Sequence, residues 1–434
     1  MEREELESLL SPIRDVKYAD LRSVESRSYE LSAKREGLEY SEGRRSLLIA
    51  RALDGEYGVA CVEGGGREDA LKALESAVKQ ARSGKGGLEL ARVRVERGEV
   101  DHGGRGFDRE EGRRLVLWLK DELTSRLRGL SYRYEISLRY REVDSSFAST
   151  EGTSVRERSP YVEVSLMVEV REPFTGRIGR ASRVVGAKAS YELVKNWNLI
   201  GIIEELVGMA KASSRGRRLS PFERGKRRDV VMDGVATGAF ARCVAKLLEP
   251  DNFNPKLFRG LKVADEFEVL DNPSIPGGFG SFVWDDEGVR GRRKVLLSKD
   301  QISLLHTRLT AREGGEPGNA RGSLPRPSVS NVYVKPGDWG IEELFEETRN
   351  GIFVRGVRNL EFDPESGKFE LVPENAYLIE RKELKAGLRD LRIVDRIDNL
   401  ISGVEGIGSL AFLNPKEGYS EGGPYLRVRN VYCA

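Results

Sequence analysis

His102 and His306 are the only two histidines in 434 residues, and neither has a second imidazole at metal-ligand spacing. A hydrolytic zinc site takes three protein donors, an open position for water and a carboxylate to receive the water's proton. A conventional zinc site is therefore not encoded. His306 ends the run Ile302-Ser303-Leu304-Leu305 and reads as a packed imidazole, whereas His102 precedes Gly103-Gly104 and reads as solvated. Either ring retains the capacity for acid-base work.

Nucleophiles are equally sparse. The three cysteines, Cys61, Cys243 and Cys433, are odd in number and widely spaced, which suits neither a disulfide framework nor a zinc ribbon. Cys243 lies in the apolar run Ala239–Ala245, where a thiol packs rather than reacts. No G-x-S-x-G elbow occurs, and Gly64-Gly65-Gly66 matches neither phosphate-binding pattern, so it reads as a plain turn before a helix. Asp285, Asp286 and Glu287 could serve an enzyme that pairs acids with one of the histidines. Their sequence lacks the alternating oxygen spacing of a calcium loop, and with Gly288 they read as a hairpin turn.

Seven cations fall between Ser213 and Arg228: Arg215, Arg217, Arg218, Arg224, Lys226, Arg227 and Arg228. They could hold a phosphate backbone. With Phe222 as the only aromatic there is nothing else on which bases could stack, so the stretch reads as a solvated linker and nucleic acid is an improbable partner.

The elements that must carry these residues follow from periodicity. Leu21–Leu31, Ser46–Leu53 and Tyr57–Val62 alternate as strands, with turns expected at Glu42-Gly43 and Asp54-Gly55, and Leu71, Leu74, Val78 and Ala81 keep helical spacing. A strand is expected over Leu90–Val95, then a helix capped by Asp108 with Leu115, Leu119, Leu123 and Leu127 on one face. Two period-2 runs, Tyr132/Tyr134/Ile136/Leu138/Tyr140 and Val162/Val164/Leu166/Val168/Val170, join through Thr150-Glu151-Gly152. Each has one apolar and one charged face. A helix is expected from Ser190 to Ala212. Beyond Val230, short strands and glycine-rich turns predict a large antiparallel sheet or sandwich, with a helix at Ile341–Thr348.

The fold class is α+β: an N-terminal α/β region with mixed sheet and long helices, and a C-terminal domain rich in antiparallel strands. The expected domains are 1–215, divisible into 1–87 and 88–215, a basic linker at 216–228, and 229–434. Lys+Arg 72 against Asp+Glu 70 leaves a net charge of +2, so no global field marks a nucleic-acid coat or membrane-surface protein. The start lacks a signal-peptide pattern and no apolar stretch reaches membrane length, which implies a cytoplasmic protein without a membrane partner. With 33% charged residues and four Met, the composition leans towards a heat-adapted source.

In order along the chain, Tyr18-Ala19-Asp20-Leu21, Ser149-Thr150-Glu151-Gly152, Val235-Ala236-Thr237-Gly238 and Trp284-Asp285-Asp286-Glu287-Gly288-Val289 resemble the TldD/PmbA family. So do Ser330-Asn331-Val332-Tyr333-Val334-Lys335-Pro336-Gly337 and Asn375-Ala376-Tyr377-Leu378-Ile379-Glu380. Members of this family are also called modulators of DNA gyrase, and its catalytic members are zinc peptidases. Their motif is H-E-x-x-x-H followed by Leu-Glu-Gly-Asp, with a late cysteine as third ligand. Anchoring on Leu248-Glu249-Pro250-Asp251 places Ala241 and Lys246 at the histidine positions, Arg242 at the catalytic glutamate and Asn414 at the cysteine. Ala241 offers no donor atom, and Arg242 and Lys246 would repel a dication.

The resemblance is nearest to the PmbA branch, also called TldE, which lacks the zinc motif. It implies a non-catalytic subunit that carries no cofactor of its own. Its partner would be a catalytic TldD-like paralogue holding zinc in a heterodimer, or a second copy of itself in a homodimer. The substrates it implies are unfolded or extended peptides. An active peptidase with non-standard ligands and a topoisomerase-associated nucleic-acid binder are the alternatives.

Overall fold

The computed structural model describes residues 1–84, 86–104, 106–311 and 314–434. The alternating runs of the first half become long strands: β1 (Tyr18–Lys34), β2 (Gly37–Leu53), β3 (Tyr57–Glu63), β4 (Arg97–Asp101), β5 (Ser131–Ser149), β6 (Ser154–Arg171) and β7 (Ile178–Ala187). They form one sheet in the order β3-β2-β1-β5-β6, with β4 and β7 sharing the outer edge of β6. β4 runs parallel to residues 154–158 and β7 antiparallel to residues 162–171. Pro160 falls between these stretches, where a strand loses an N–H donor at least cost.

The register sorts side chains by face. Leu21 lies opposite Ala50 and Ala148, and Ile136 and Leu138 lie opposite Leu166 and Val164. This apolar face is covered by helices α1 (Arg3–Leu10), α2 (Arg67–Ser83), α3 (Arg109–Arg126) and α4 (Leu199–Arg215). Asp108 caps α3, its Oδ1 accepting from the Glu111 amide at 2.9 Å, a contact worth about 1 kcal/mol. The helix expected from Ser190 is split: a 3₁₀ turn spans Tyr191–Asn196, and α4 starts afresh after Asn198, whose side chain accepts from the Gly201 amide.

Two local expectations fail for tertiary reasons. The β1–β2 hairpin is longer than its apolar pattern, and its turn lies at Arg35-Glu36, not Glu42-Gly43. Leu90–Val95 is not a strand; that segment is tied instead to the second half, its Ala91 amide donating to the Arg308 carbonyl at 2.9 Å.

The second half is built on a mixed sheet of twelve strands, not a sandwich. At its centre, the strand Tyr419–Cys433 pairs antiparallel with β8 (Lys226–Met232) and Val404–Lys416, and parallel with Asn331–Val334. Lys226, Arg227 and Arg228, read as the end of the basic linker, are therefore strand residues paired with Cys433, Tyr432 and Val431. Helix α5 (Gly234–Leu247), capped by Asp233, lies on this sheet. Gly238 is required there, since a Cβ at that position would sit 2.6 Å from the Gly422 amide nitrogen. The helix expected at Ile341–Thr348 is present with those bounds.

Candidate functional site

The charged face of the first sheet is turned towards the second half. Val24 and Arg22 on β1, Leu47 on β2, Arg141, Val143, Ser145 and Phe147 on β5, and Glu157, Ser159 and Tyr161 on β6 line a cleft of about 450 Å³. The opposite wall is Phe279–Trp284, Asp285, Asp286, Arg321 and the hairpin turn Glu417-Gly418-Tyr419. Periodicity marked this face as polar but could not say that another part of the chain would cover it.

Ion pairs join the two walls. The Arg22 guanidinium meets Asp286 at 2.8 Å, and the buried Arg51 donates to the Asp286 carbonyl at 2.6 Å while its Nε holds Asp20 at 2.8 Å. Arg308 donates to Glu151 at 2.9 Å and stacks over Tyr18. At the rim, His102 Nε2 lies 2.9 Å from Glu157 Oε1, which also pairs with the buried Lys188 ammonium. His102 is exposed, as expected of a ring in this loop, with Glu157 as its hydrogen-bond partner.

Burial alone would raise the Glu157 carboxyl, but the His102 hydrogen bond and the Lys188 charge outweigh it and hold it at about 2. The stability so gained is fully present above the ordinary value of 4.5 and disappears as pH falls towards about 2. The Glu157→Gln variant is expected to be about 2 kcal/mol less stable near neutrality. Urea midpoints of the two proteins should converge on acidification, and a gap independent of pH would contradict this assignment.

The acidic turn is structural in its contacts. Asp285 accepts from the Glu287, Val289 and Ala320 amides at 2.9 Å each, and Glu287 Oε2 accepts from the Arg308 amide at 2.7 Å. Burial pushes both carboxyls up, and their proximity adds to the shift of Glu287. Neither histidine reaches them: His306, half-buried with its basicity lowered by burial, contacts the Thr310 hydroxyl at 3.2 Å.

The positions aligned with the peptidase motif are separated by their surroundings. Ala241, on α5, is fully buried in the core. Arg242 reaches outward to Glu249 at 3.4 Å, with its guanidinium 5.5 Å from the Tyr419 ring centroid, and Lys246 pairs with the same Glu249. Cys243 is buried beside them, and burial pushes its thiol well up. Asn414 lines a different cavity of about 450 Å³, with Asp233, Val235, Phe412 and Tyr425. Among the described residues no three His, Cys, Asp or Glu side chains are grouped as a metal ion would need. Three of the seven cations in the basic segment are ion-paired: Arg217 with Glu223 at 2.7 Å, Arg218 with Asp390 at 2.6 Å and Arg227 with Asp395 at 2.9 Å.

Residues 225–434 match the family described as the PmbA/TldA metallopeptidase C-terminal domain. A metalloprotease of Methanothermobacter thermautotrophicus is 31% identical to this chain, over 98% of this chain and 97% of its own length. The fold is shared with TldE of Thermococcus kodakarensis, at a TM-score of 0.79 and 16% identity over 96% of this chain and 97% of that one. It is also shared with a Thermotoga maritima protein described as a modulator of a DNA gyrase, at a TM-score of 0.80 and 19% identity over 100% of this chain and 99% of that one. No described helix is long and apolar enough to cross a membrane. End-to-end similarity at that level, together with the domain match over the second half, means that this chain belongs to the PmbA/TldD metallopeptidase family.

Proposed function

We propose that this chain is the non-catalytic subunit of a PmbA/TldD metallopeptidase complex, holding extended peptides in its cleft beside a histidine-bearing paralogue that supplies the zinc. The observation that carries this reading is the pairing of Arg242 and Lys246, on α5, with Glu249 just beyond its end. By the resemblance, these two cations align with a general base and a metal ligand, and the acid beside them is already engaged. Neither cation has a lone pair to offer at neutral pH, and Ala241 has no donor. The residues present therefore do not fit zinc. In the active-peptidase alternative neither histidine side chain is bonded to the acidic turn, and of the cations behind the nucleic-acid alternative Arg217, Arg218 and Arg227 are already paired.

Such a subunit would contribute shape and charge. The cleft's charged strand face and the facing loops are suited to a peptide that exposes its backbone and presents alternate side chains to each wall. The purified chain is expected to leave casein and unfolded peptides intact, with or without zinc. Co-expression with a paralogue bearing H-E-x-x-x-H should give a complex whose cleavage is abolished by chelator. Metal-dependent cleavage by the isolated chain would overturn the proposal.

A further inference from the structure

The cleft does not end at Tyr161. Arg141, Tyr161, Phe279 and Glu417 line both it and a neighbouring cavity of about 330 Å³ that extends over Glu30 and Arg139, so the two form one groove across β1, β5 and β6. Most cations in this groove are matched. Arg22 and Arg321 meet Asp286, Lys188 meets Glu157, Arg45 meets Glu63, and Arg139 meets both Glu30 and Glu163.

Arg141 differs. It is half-buried at the junction of the two cavities, with its guanidinium 5.0 Å from the Tyr161 ring centroid. Among the described residues, no carboxylate lies within ion-pair reach of its side chain and no acceptor takes its N–H groups. Glu163, diagonal to it across β5 and β6, is close enough for its titration to be influenced, but it is bonded to Arg139 instead. A guanidinium presents a rigid fork of donors that matches a carboxylate in two parallel bonds, and an aromatic face beneath it limits its freedom. Glu417 stands on the opposite wall, so a bound carboxylate must lie against the sheet.

We infer that Arg141 anchors a carboxylate of the extended peptide held in this groove, making the site selective for acidic or free-ended chains. The inference rests on the peptide-binding reading above. The carboxylate could be an Asp or Glu side chain or the peptide's own C-terminus.

The test uses fluorescent, unstructured decapeptides of otherwise identical sequence: neutral and amidated, with one internal Glu and amidated, and neutral with a free C-terminus. Binding to the full chain is followed by anisotropy. At least one carboxylate-bearing peptide is expected to bind about tenfold more tightly than the neutral one, and which of the two does so identifies the source. Arg141→Gln should erase that preference, and Arg141→Lys should restore part of it. Equal binding of all three peptides, or a preference that survives Arg141→Gln, would overturn the anchor while leaving the peptide-binding reading intact. If none of the peptides binds the wild-type chain, both fall together.

Discussion

An Asp20→Ala variant is expected to lose about 4 kcal/mol of stability, the range found when one partner of a buried ion pair is removed. Both Asp20 and Arg51 are fully buried. Asp20 receives the Arg51 Nε at 2.8 Å and the Tyr18 hydroxyl at 2.7 Å, so truncation strands a guanidinium and a phenol away from water. The effect should spread beyond β1 and β2, because Arg51 also donates to the Asp286 carbonyl in the second half of the chain. Urea titration of the full chain checks this directly. Adding Arg51→Met should recover much of the loss, since a paired apolar replacement leaves no orphaned charge. A single variant with an unchanged midpoint would mean the pair is not buried as described.

Gly422→Ala is the second large effect. Gly422 lies on the central strand, facing Leu413 in the hairpin with Val404–Lys416. A Cβ there would sit 1.8 Å from the Phe412 carbonyl oxygen. That neighbour is backbone and cannot swing aside, so the hairpin itself must move. The expected loss is about 3 kcal/mol, at the upper end of ordinary overpacking. Gly418, in the turn of the same hairpin, supplies the contrast. It has φ +80 with open space around its missing side chain, so Gly418→Ala should cost only about 1 kcal/mol of backbone strain. Thermal unfolding of the two variants side by side separates crowding from conformational strain, and equal losses would count against this account of Gly422.

These variants also mark where the sequence was legible. The runs Tyr132–Tyr140 and Val162–Val170 were readable because a half-buried strand must alternate, and the turn at Thr150-Glu151-Gly152 because Gly152 takes a positive φ of 96. The helix after Asp108 followed from its cap and leucine spacing. Pairings between distant segments were not readable. The parallel alignment of Asn331–Val334 with Tyr419–Cys433 leaves no mark in either segment's periodicity, nor does the gathering of short strands into one mixed sheet. Leu90–Val95 alternates like a strand yet is held by a loop from the other half.

The candidate site divides in the same way. The four positions aligned with the peptidase motif came from chain order, and their chemistry could be judged from residue type alone. The groove could not, because it arises only when Phe279–Trp284 and Glu417–Tyr419 close over the charged strand face. Arg141 belongs to that category: on paper it was one cation among many on a polar face, and only the matched neighbours around it single it out.

The central strand Tyr419–Cys433 has a consequence for biosynthesis. It joins β8, Asn331–Val334 and Val404–Lys416, and its contacts with β8 link residues about 200 positions apart in sequence. While the polypeptide is still emerging from the ribosome, β8 must therefore wait with an unsatisfied ladder until almost the whole remainder has been translated. Such non-local closure is slow and leaves sticky backbone exposed in the meantime, so the first sheet matures early while the second depends on protection from self-association.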